Sequence, residues 1–272
     1  MNSLFDGAKR LQSIAGGCIN RCSRLRLADG RSAFLKENSD VGEDFFVAEA
    51  GGLRALREAG TPVPEVLSVG PDHLLLSWVE SGSAGSSGMA EAGRLLARQH
   101  QHRGPAFGFD RDNYCGENRQ QNAWLDDGHE FFALRRLLPQ GEQACARGLL
   151  DSRDMSRLEL LCQGLDQLLP QADPVLIHGD LWAGNLLFDD KGEPVFIDPA
   201  VSWCWAEADL AMTRLFGGFP DSFLAAYEEV QALAPGFPER VPLYNLYHLL
   251  NHLNLFGGGY RSSVRQVLER FS

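Results

Sequence analysis

The 272-residue sequence predicts an α+β protein of two lobes: a small antiparallel β-sheet lobe, residues 1–80, and a larger, mainly helical lobe, residues 81–272. Three observations support this prediction. Short runs of alternating apolar and polar residues, separated by turn signals, lie before residue 80. The low-complexity tract Ser81 to Gly88 then interrupts the pattern. Beyond that tract, apolar residues recur at helical spacing.

Turn and cap signals divide each lobe into elements. In the first lobe we predict, in chain order, a helix (Leu4 to Leu11), a hairpin (Arg21 to Leu27 and Ser32 to Lys36), a helix from Phe45 to Gly60, and two strands (Val66 to Val69 and Leu74 to Val79). In the second lobe we predict helices over Met89 to His100, Glu130 to Leu138, Met155 to Leu169, Glu207 to Phe216, Ser222 to Leu233 and Leu243 to Leu255.

Composition and charge exclude several classes of protein. The net charge of −11 argues against a nucleic-acid partner, because nucleic acids attract clusters of Lys and Arg. No apolar run approaches the roughly 18 residues of a membrane span, and residues 1–13 contain no apolar signal core. The six cysteines include no Cys-x-x-Cys pair, which favours free thiols in a reducing compartment. We therefore predict a cytoplasmic enzyme with no membrane or nucleic-acid partner.

The segment 178–185, His-Gly-Asp-Leu-Trp-Ala-Gly-Asn, contains side chains suited to phosphoryl transfer to a hydroxyl group. The carboxylate of Asp180 can accept the proton of the incoming alcohol. The amide oxygen of Asn185 and the carboxylate of Asp198 can hold a metal ion against the nucleotide phosphates. Each residue alone could be an ordinary cap or turn residue. The three at this spacing predict a catalytic base and a metal site.

A predicted hairpin connects the two candidate metal ligands. Leu186 to Phe188 and Val195 to Ile197 are apolar runs, and an Asp-Lys-Gly turn signal lies between them. A hairpin at this position places Asn185 and Asp198 at the same open end. One cation can then contact both side chains.

Two residues of the first lobe are unusual for their positions. Lys36 lies in an apolar strand, where it either protects a sheet edge or binds a phosphate. Glu49 lies on the apolar face of the following helix, where a carboxylate needs a cationic partner. An ion pair between Lys36 and Glu49 explains both positions. In kinases such a pair holds the lysine against the α- and β-phosphates.

The first lobe offers further candidate contacts to a nucleotide. Gly16 and Gly17 lie between a predicted helix and strand, where they either let backbone N–H groups approach phosphates or form an ordinary tight turn. The backbone of Ser77, Trp78 and Val79 lies at the junction of the two lobes. We expect this backbone to hydrogen-bond the adenine edge.

Nearly the whole chain resembles the fructosamine/ketosamine-3-kinase family, in the aminoglycoside-phosphotransferase-like branch of the protein-kinase-like fold. The segments that carry the resemblance are His178 to Asn185, Asp198-Pro199-Ala200, Glu207 to Met212, Leu215 to Phe219, Phe107-Gly108-Phe109 with Asn113-Tyr114, and His252 to Tyr260. The resemblance implies ATP and Mg²⁺, and phosphorylation of the C3 hydroxyl of a ketosamine that is free or borne on a lysine. A phosphate near the ketone is a good leaving group, so the product would shed the sugar and free the amine. The implied role is deglycation.

The chain departs from the family after Ala200, where Trp203-Cys204-Trp205 replaces the usual Tyr-Gly-x-Arg pattern. We predict that Trp203 and Trp205 line the acceptor site and favour ribulosamine or erythrulosamine over fructosamine. Packing of this loop against the lobe is the alternative. Further candidate acceptor contacts are Trp182, His252 and Asn254.

Two other functions stay open from the sequence alone. One is a kinase for a different alcohol, such as an aminoglycoside, choline or a hydroxy-amino acid. The other is a non-catalytic scaffold, which the complete set of kinase-like side chains argues against. His248 and His252 have a spacing that suits a metal, but no third ligand stands beside them in the sequence. For these two histidines we therefore predict packing or substrate contact.

Overall fold

The computed structural model describes residues 7–14, 20–85 and 87–272, and its two-lobed α+β architecture confirms the predicted fold class. The strands of the first lobe are β1 (Lys9–Ile14), β2 (Arg21–Arg26), β3 (Ser32–Glu37), β4 (Val66–Val69) and β5 (His73–Ser77). They form an antiparallel sheet in the order β1-β2-β3-β5-β4. Helix α1 (Phe45–Glu58) contacts β4 and β5.

The predicted helix from Leu4 to Leu11 is wrong over its described part, because residues 9–11 belong to β1. Lys9 lies opposite Arg26, and the guanidinium of Arg10 forms an ion pair of 2.6 Å with Glu37. Pairing with β2 satisfies backbone groups that a short, exposed helix would leave to water. Gly16 and Gly17 lie outside the described residues, so their contact with phosphates stays a prediction.

The second lobe is mainly helical, as predicted. Its helices are α2 (Gly88–Gln99), α3 (Gly128–Phe132), α4 (Leu138–Ala146), α5 (Ser152–Gln163), α6 (Leu165–Leu168), α7 (Ala206–Leu215), α8 (Asp221–Glu228), α9 (Phe237–Phe256) and α10 (Arg261–Phe271). Every predicted helix of this lobe overlaps an observed one. The prediction missed α10, whose buried face (Val264, Val267 and Leu268) packs within the same core as α5 and α9.

The second lobe also contains short strands. They are β6 (Asn113–Cys115), β7 (Asn118–Gln120), β8 (Val175–Ile177), β9 (Leu186–Phe188), β10 (Pro194–Phe196) and β11 (Ser202–Cys204). Strands β9 and β10 form the predicted hairpin, and β8 pairs with β11. Leu176 of β8 and Phe196 of β10 belong to the same buried cluster as Leu53 and Leu56 of α1. This shared cluster fixes the two lobes against each other.

The predicted lobe boundary at residue 80 lies in the segment between β5 and α2, and it stays a prediction. Within the described residues, no helix combines the length and the apolar character that a bilayer crossing requires.

Candidate active site

A cleft of about 240 Å³ brings together the side chains that the sequence predicted for phosphoryl transfer. Lys36 of β3 and Glu49 of α1 line it from the first lobe. From the second lobe it is lined by Asp180, Asn185 and Asp198. Lys36 and Asp198, which are 162 positions apart in the chain, therefore face one cavity.

The loop that carries Asp180 is held from behind by a buried carboxylate. Asp209 of α7 accepts hydrogen bonds from the backbone N–H groups of His178 (2.6 Å) and Gly179 (2.8 Å), and it also contacts Nε2 of His100 (3.2 Å). Burial alone would raise the pKa of Asp209, but these hydrogen bonds and the nearby imidazoles hold the pKa below its usual value. The ionised carboxylate fixes the backbone that enters the loop.

Glycine is required at position 179. Its φ of 82° is in the left-handed region, and a Cβ there would lie 2.0 Å from the carbonyl oxygen of Ala200. The close approach brings the segment after Asp198 against the loop that carries Asp180. Ala200 donates its N–H to the carbonyl of His178 at 2.9 Å, which closes this contact.

Asp180 is positioned by Asn185, whose Nδ2 donates to the backbone oxygen (2.9 Å) and to Oδ2 (3.2 Å) of Asp180. Burial raises the pKa of Asp180 to about 7, and the negative charge of Asp198 acts in the same direction. A carboxylate with such a pKa can accept a proton near neutral pH.

His178 orients the loop and does not face the cleft. Its Nε2 donates to the carbonyl oxygen of Ile197 at 3.0 Å, and its Nδ1 accepts the N–H of Asp180 at 3.3 Å. Burial lowers the pKa of His178, so the ring is neutral. Both ring nitrogens are engaged by the backbone, which agrees with a positioning role.

The predicted ion pair between Lys36 and Glu49 forms, with Nζ 2.7 Å from Oε1. The same Nζ also lies 2.6 Å from Oδ1 of Asp198, which links the lobes. Burial alone would lower the pKa of Lys36, but the charges of Asp198 and Glu49 raise it above its ordinary range. The lysine is therefore charged and faces the carboxylate predicted to hold metal.

Asn185 and Asp198 meet at the open end of the β9–β10 hairpin, where the N–H of Ile197 donates to the carbonyl of Asn185 at 3.0 Å. Because Nδ2 of Asn185 donates to Asp180, its amide oxygen is the atom left to bind a cation. Asp198 has a φ of 55°, which is unfavourable for a residue with a Cβ and is typical of functional positions. Amide and carboxylate oxygens suit Mg²⁺, so the donor set fits this ion.

The three residues whose backbone was predicted to contact adenine differ in their surroundings. Ser77 belongs to β5, donates its N–H to Glu65 at 2.8 Å and accepts the N–H of Glu65 on its hydroxyl at 2.8 Å. Trp78 lies under the guanidinium of Arg24, 4.3 Å from the ring centroid. Val79 follows in the connection toward α2. Contact of these residues with adenine stays a prediction. The N–H of Ser77 already donates to the carbonyl of Glu65, so it is not free to donate to adenine.

On the acceptor side, Trp182 and His252 line the cleft, and Trp182 has 41% of its surface exposed. Three other predicted contacts do not lie there. Trp205 is 2% exposed, packs against Phe107 and donates from Nε1 to the carbonyl of Pro170 at 2.9 Å. The indole was predicted to face the acceptor but belongs to the core of the second lobe.

Trp203 and Asn254 are likewise directed away from the cleft. Trp203 lies in β11 opposite Leu176, and its ring covers Gly104 so closely that a Cβ there would meet it at 2.5 Å. Asn254 is fully buried and donates to the carbonyl of Gln140 at 2.9 Å. Pairing of β11 with β8 fixes the side that Trp203 faces. Contact of α9 with α4 places Asn254 against Gln140. The two indoles therefore do not select a smaller acceptor by lining the cleft, as was predicted.

Sequence reasoning missed several residues that line the cleft. Asn113, Tyr114 and Cys115 of β6 line the cleft, and so do Asn251 and Phe256 of α9. Three of these, Asn113, Tyr114 and Phe256, lie in segments that carry the family resemblance, which was the available signal. No spacing along the chain indicated that β6 and α9 face Asp180.

Comparison with known proteins agrees with the fold. The family model for fructosamine kinase matches residues 5–272. A probable ketoamine kinase of Enterococcus faecium is 39% identical over 95% of this chain and 94% of its own length. The chloroplastic protein-ribulosamine 3-kinase of Arabidopsis thaliana is 38% identical over 96% of this chain and 82% of its own length.

Solved structures give the same result. The crystal structure of a putative fructosamine-3-kinase of Thermobifida fusca is 35% identical and superimposes with a TM-score of 0.89, covering 97% of this chain and 94% of that one. A macrolide 2'-phosphotransferase, 15% identical with a TM-score of 0.61 over 98% of this chain and 93% of that one, shares the fold. The match to the family model covers nearly the whole sequence, and the chain therefore belongs to the fructosamine kinase family.

Proposed function

We propose that this protein is an ATP-dependent kinase that phosphorylates the C3 hydroxyl of ketosamines. The observation that carries the proposal is the arrangement of Asp180 in one cleft with Lys36, Glu49, Asn185 and Asp198. Membership of the fructosamine kinase family, together with relatives named ketoamine kinase and protein-ribulosamine 3-kinase, supports a ketosamine as acceptor. The acceptor is a small molecule or a glycated lysine side chain.

The residues divide the chemistry between them. Asp180 accepts the proton of the acceptor hydroxyl as the oxygen attacks the γ-phosphorus. Lys36, held by Glu49, binds the α- and β-phosphates. Asn185 and Asp198 would hold Mg²⁺, and the bound ion would neutralise the charge of the phosphates. Asp209 keeps the catalytic loop in place by fixing the backbone before Asp180.

The expected product is a ketosamine 3-phosphate. Loss of this phosphate next to the ketone releases the sugar and frees the amine, so we propose deglycation as the role. The cysteines described by the structure are free thiols, which suits a reducing compartment. On this ground we propose that the reaction takes place in the cytoplasm.

An ATP-consumption screen tests the proposal. Purified protein with MgATP is offered ribulosamine, erythrulosamine, fructosamine, kanamycin and choline. We expect turnover with ketosamines, and we expect Asp180→Asn to lose a factor of about 10² to 10⁴ in kcat. Asp190→Asn is the matched control, because Asp190 is an exposed turn residue of the same hairpin. Turnover with kanamycin or choline and none with ketosamines would refute the proposal of a ketosamine acceptor. Absence of turnover with every acceptor would refute kinase activity.

A further inference from the structure

Three potential metal ligands of different chemistry meet beside the cleft. One oxygen of Asp180, Sγ of Cys115 and one ring nitrogen of His248 all lie within 4.8 Å of one another. They come from three separate elements: the catalytic loop, the end of β6 and the middle of α9. Within the described residues, these three side chains form the group of His, Cys and carboxylate ligands whose ligand atoms are close enough to share a metal ion.

The imidazole of His248 is available to a ligand. The side chain is 5% exposed, and its Nδ1 has no hydrogen-bond partner within the described part of the chain. A buried polar atom without a partner destabilises the fold, and a bound ligand would relieve this. Burial also lowers the pKa of His248 to about 3, so the ring is neutral and can donate a lone pair.

The other two ligands are reached from the cleft, because Cys115 and Asp180 both line it. Sγ of Cys115 accepts a hydrogen bond from Nδ2 of Asn251 at 3.2 Å, which holds the sulfur in place. The carboxylate of Asp180 is oriented by Asn185 in the same manner. Cys115 and Asp180 are therefore each held by an asparagine, while the ring of His248 still lacks a partner for Nδ1.

We propose that Cys115, Asp180 and His248 form an inhibitory site for Zn²⁺ at the floor of the acceptor cleft. Sulfur, nitrogen and carboxylate ligands select Zn²⁺ over Mg²⁺, which prefers the oxygen donors of Asn185 and Asp198. Three protein ligands leave the fourth position of a tetrahedral ion to water.

Binding of Zn²⁺ to these three ligands needs no oxidant. The S–H bond of Cys115 breaks, its proton passes to water, and the thiolate bonds to Zn²⁺. Asp180 and His248 each contribute a lone pair. The buried thiol has a raised pKa, and metal coordination offsets this because a coordinating thiol is deprotonated.

Occupation of the site removes the lone pair that Asp180 needs to accept a proton. The effect on catalysis rests on the proposed function, whereas metal binding does not. We expect Zn²⁺ to inhibit in competition with the ketosamine. We expect no competition with ATP, because Lys36, Asn185 and Asp198 do not take part in the site.

The first experiment measures binding with Co²⁺ alone, on reduced full-length protein freed of metal by a chelator. We expect one equivalent of Co²⁺ to give the sulfur-to-cobalt charge-transfer band of a four-coordinate thiolate site. Cys115→Ser should lose the band, and the matched control Cys162→Ser should keep it, because Cys162 lies on α5 away from the cleft. A band that survives in Cys115→Ser, or is missing in the wild-type protein, overturns the proposal.

A second variant guards against loss of folding in Cys115→Ser. His248→Gln should lower the Zn²⁺ affinity, measured against a coloured chelator, by about tenfold or more. Unchanged affinity in a variant with a wild-type melting curve overturns the site. In the kinase assay with MgATP, inhibition by Zn²⁺ should be relieved by more ketosamine and not by more ATP. Absence of any ketosamine turnover would count against the proposed function, while the cobalt spectrum would still decide the metal site.

Discussion

Replacing Asp209 with Asn tests whether this buried carboxylate holds the catalytic loop. The change keeps the size of the side chain and removes one acceptor oxygen and the negative charge. In the native protein the carboxylate, 1% exposed, faces three donors: the N–H groups of His178 and Gly179 and Nε2 of His100. The amide of Asn has a single acceptor oxygen, so its NH₂ group must face at least one of these donors.

The magnitude follows from the contacts. A buried N–H left without a partner costs about 1–3 kcal/mol, and the remaining bonds become neutral and weaker. We expect the free energy of unfolding to fall by about 2–4 kcal/mol. Because Asp180 follows Gly179 directly, a shift of the loop should also lower kcat, on the order of 10²-fold. The KM for ATP should change much less, since Lys36 and Asp198 keep their contact.

Urea unfolding followed by circular dichroism gives the stability, and steady-state kinetics with the best ketosamine give kcat and KM. Asp126→Asn is the control, because Asp126 is an exposed carboxylate on a loop. The control should stay within about 0.5 kcal/mol of the wild-type protein. A stable Asp209→Asn variant with normal kcat would refute the reasoning, because the loop would then not depend on this carboxylate.

The remaining predictions concern the cleft and the core. Because burial raises the pKa of Asp180 to about 7 and the base must be ionised, kcat should rise as pH increases through about 7, and a flat profile from pH 5.5 to 8.5 would contradict this. Lys36→Met should raise the KM for ATP and leave Glu49 buried without its cation. Because burial raises the pKa of Glu49, the folded variant binds a proton more tightly than the unfolded chain, and its unfolding free energy should fall as pH rises through that raised pKa. A loss of stability that does not depend on pH would contradict this expectation. Asp198→Ala should weaken MgATP far more than adenosine in calorimetry, and equal losses would exclude its role at the phosphates. Trp205→Ala should cost about 3–5 kcal/mol of unfolding free energy and leave the ratio of kcat/KM for ribulosamine and fructosamine unchanged, whereas a changed ratio would restore this indole to the acceptor site.

Local features of the chain were determined by the sequence itself. The β9–β10 hairpin joins Asn185 to Asp198 through a short turn, and turn chemistry with strand pairing is enough to place their side chains together. The pairing of Lys36 with Glu49 could be inferred because each residue was costly to bury alone and close to the other along the chain. In both cases few conformations of a short segment satisfy the pattern.

Only the tertiary structure decided contacts between distant segments. Residues 9–11 became a strand because β2 offered a partner, although their spacing favoured a helix. Trp205, which follows β11, became a core residue because its indole packs against Phe107 and its Nε1 donates to the carbonyl of Pro170. The fold places His248 next to two potential metal ligands, Cys115 and Asp180, which lie on elements far away in sequence. Such contacts depend on which faces of strands and helices pack together, and burial of the whole apolar surface, rather than any local pattern, selects those faces.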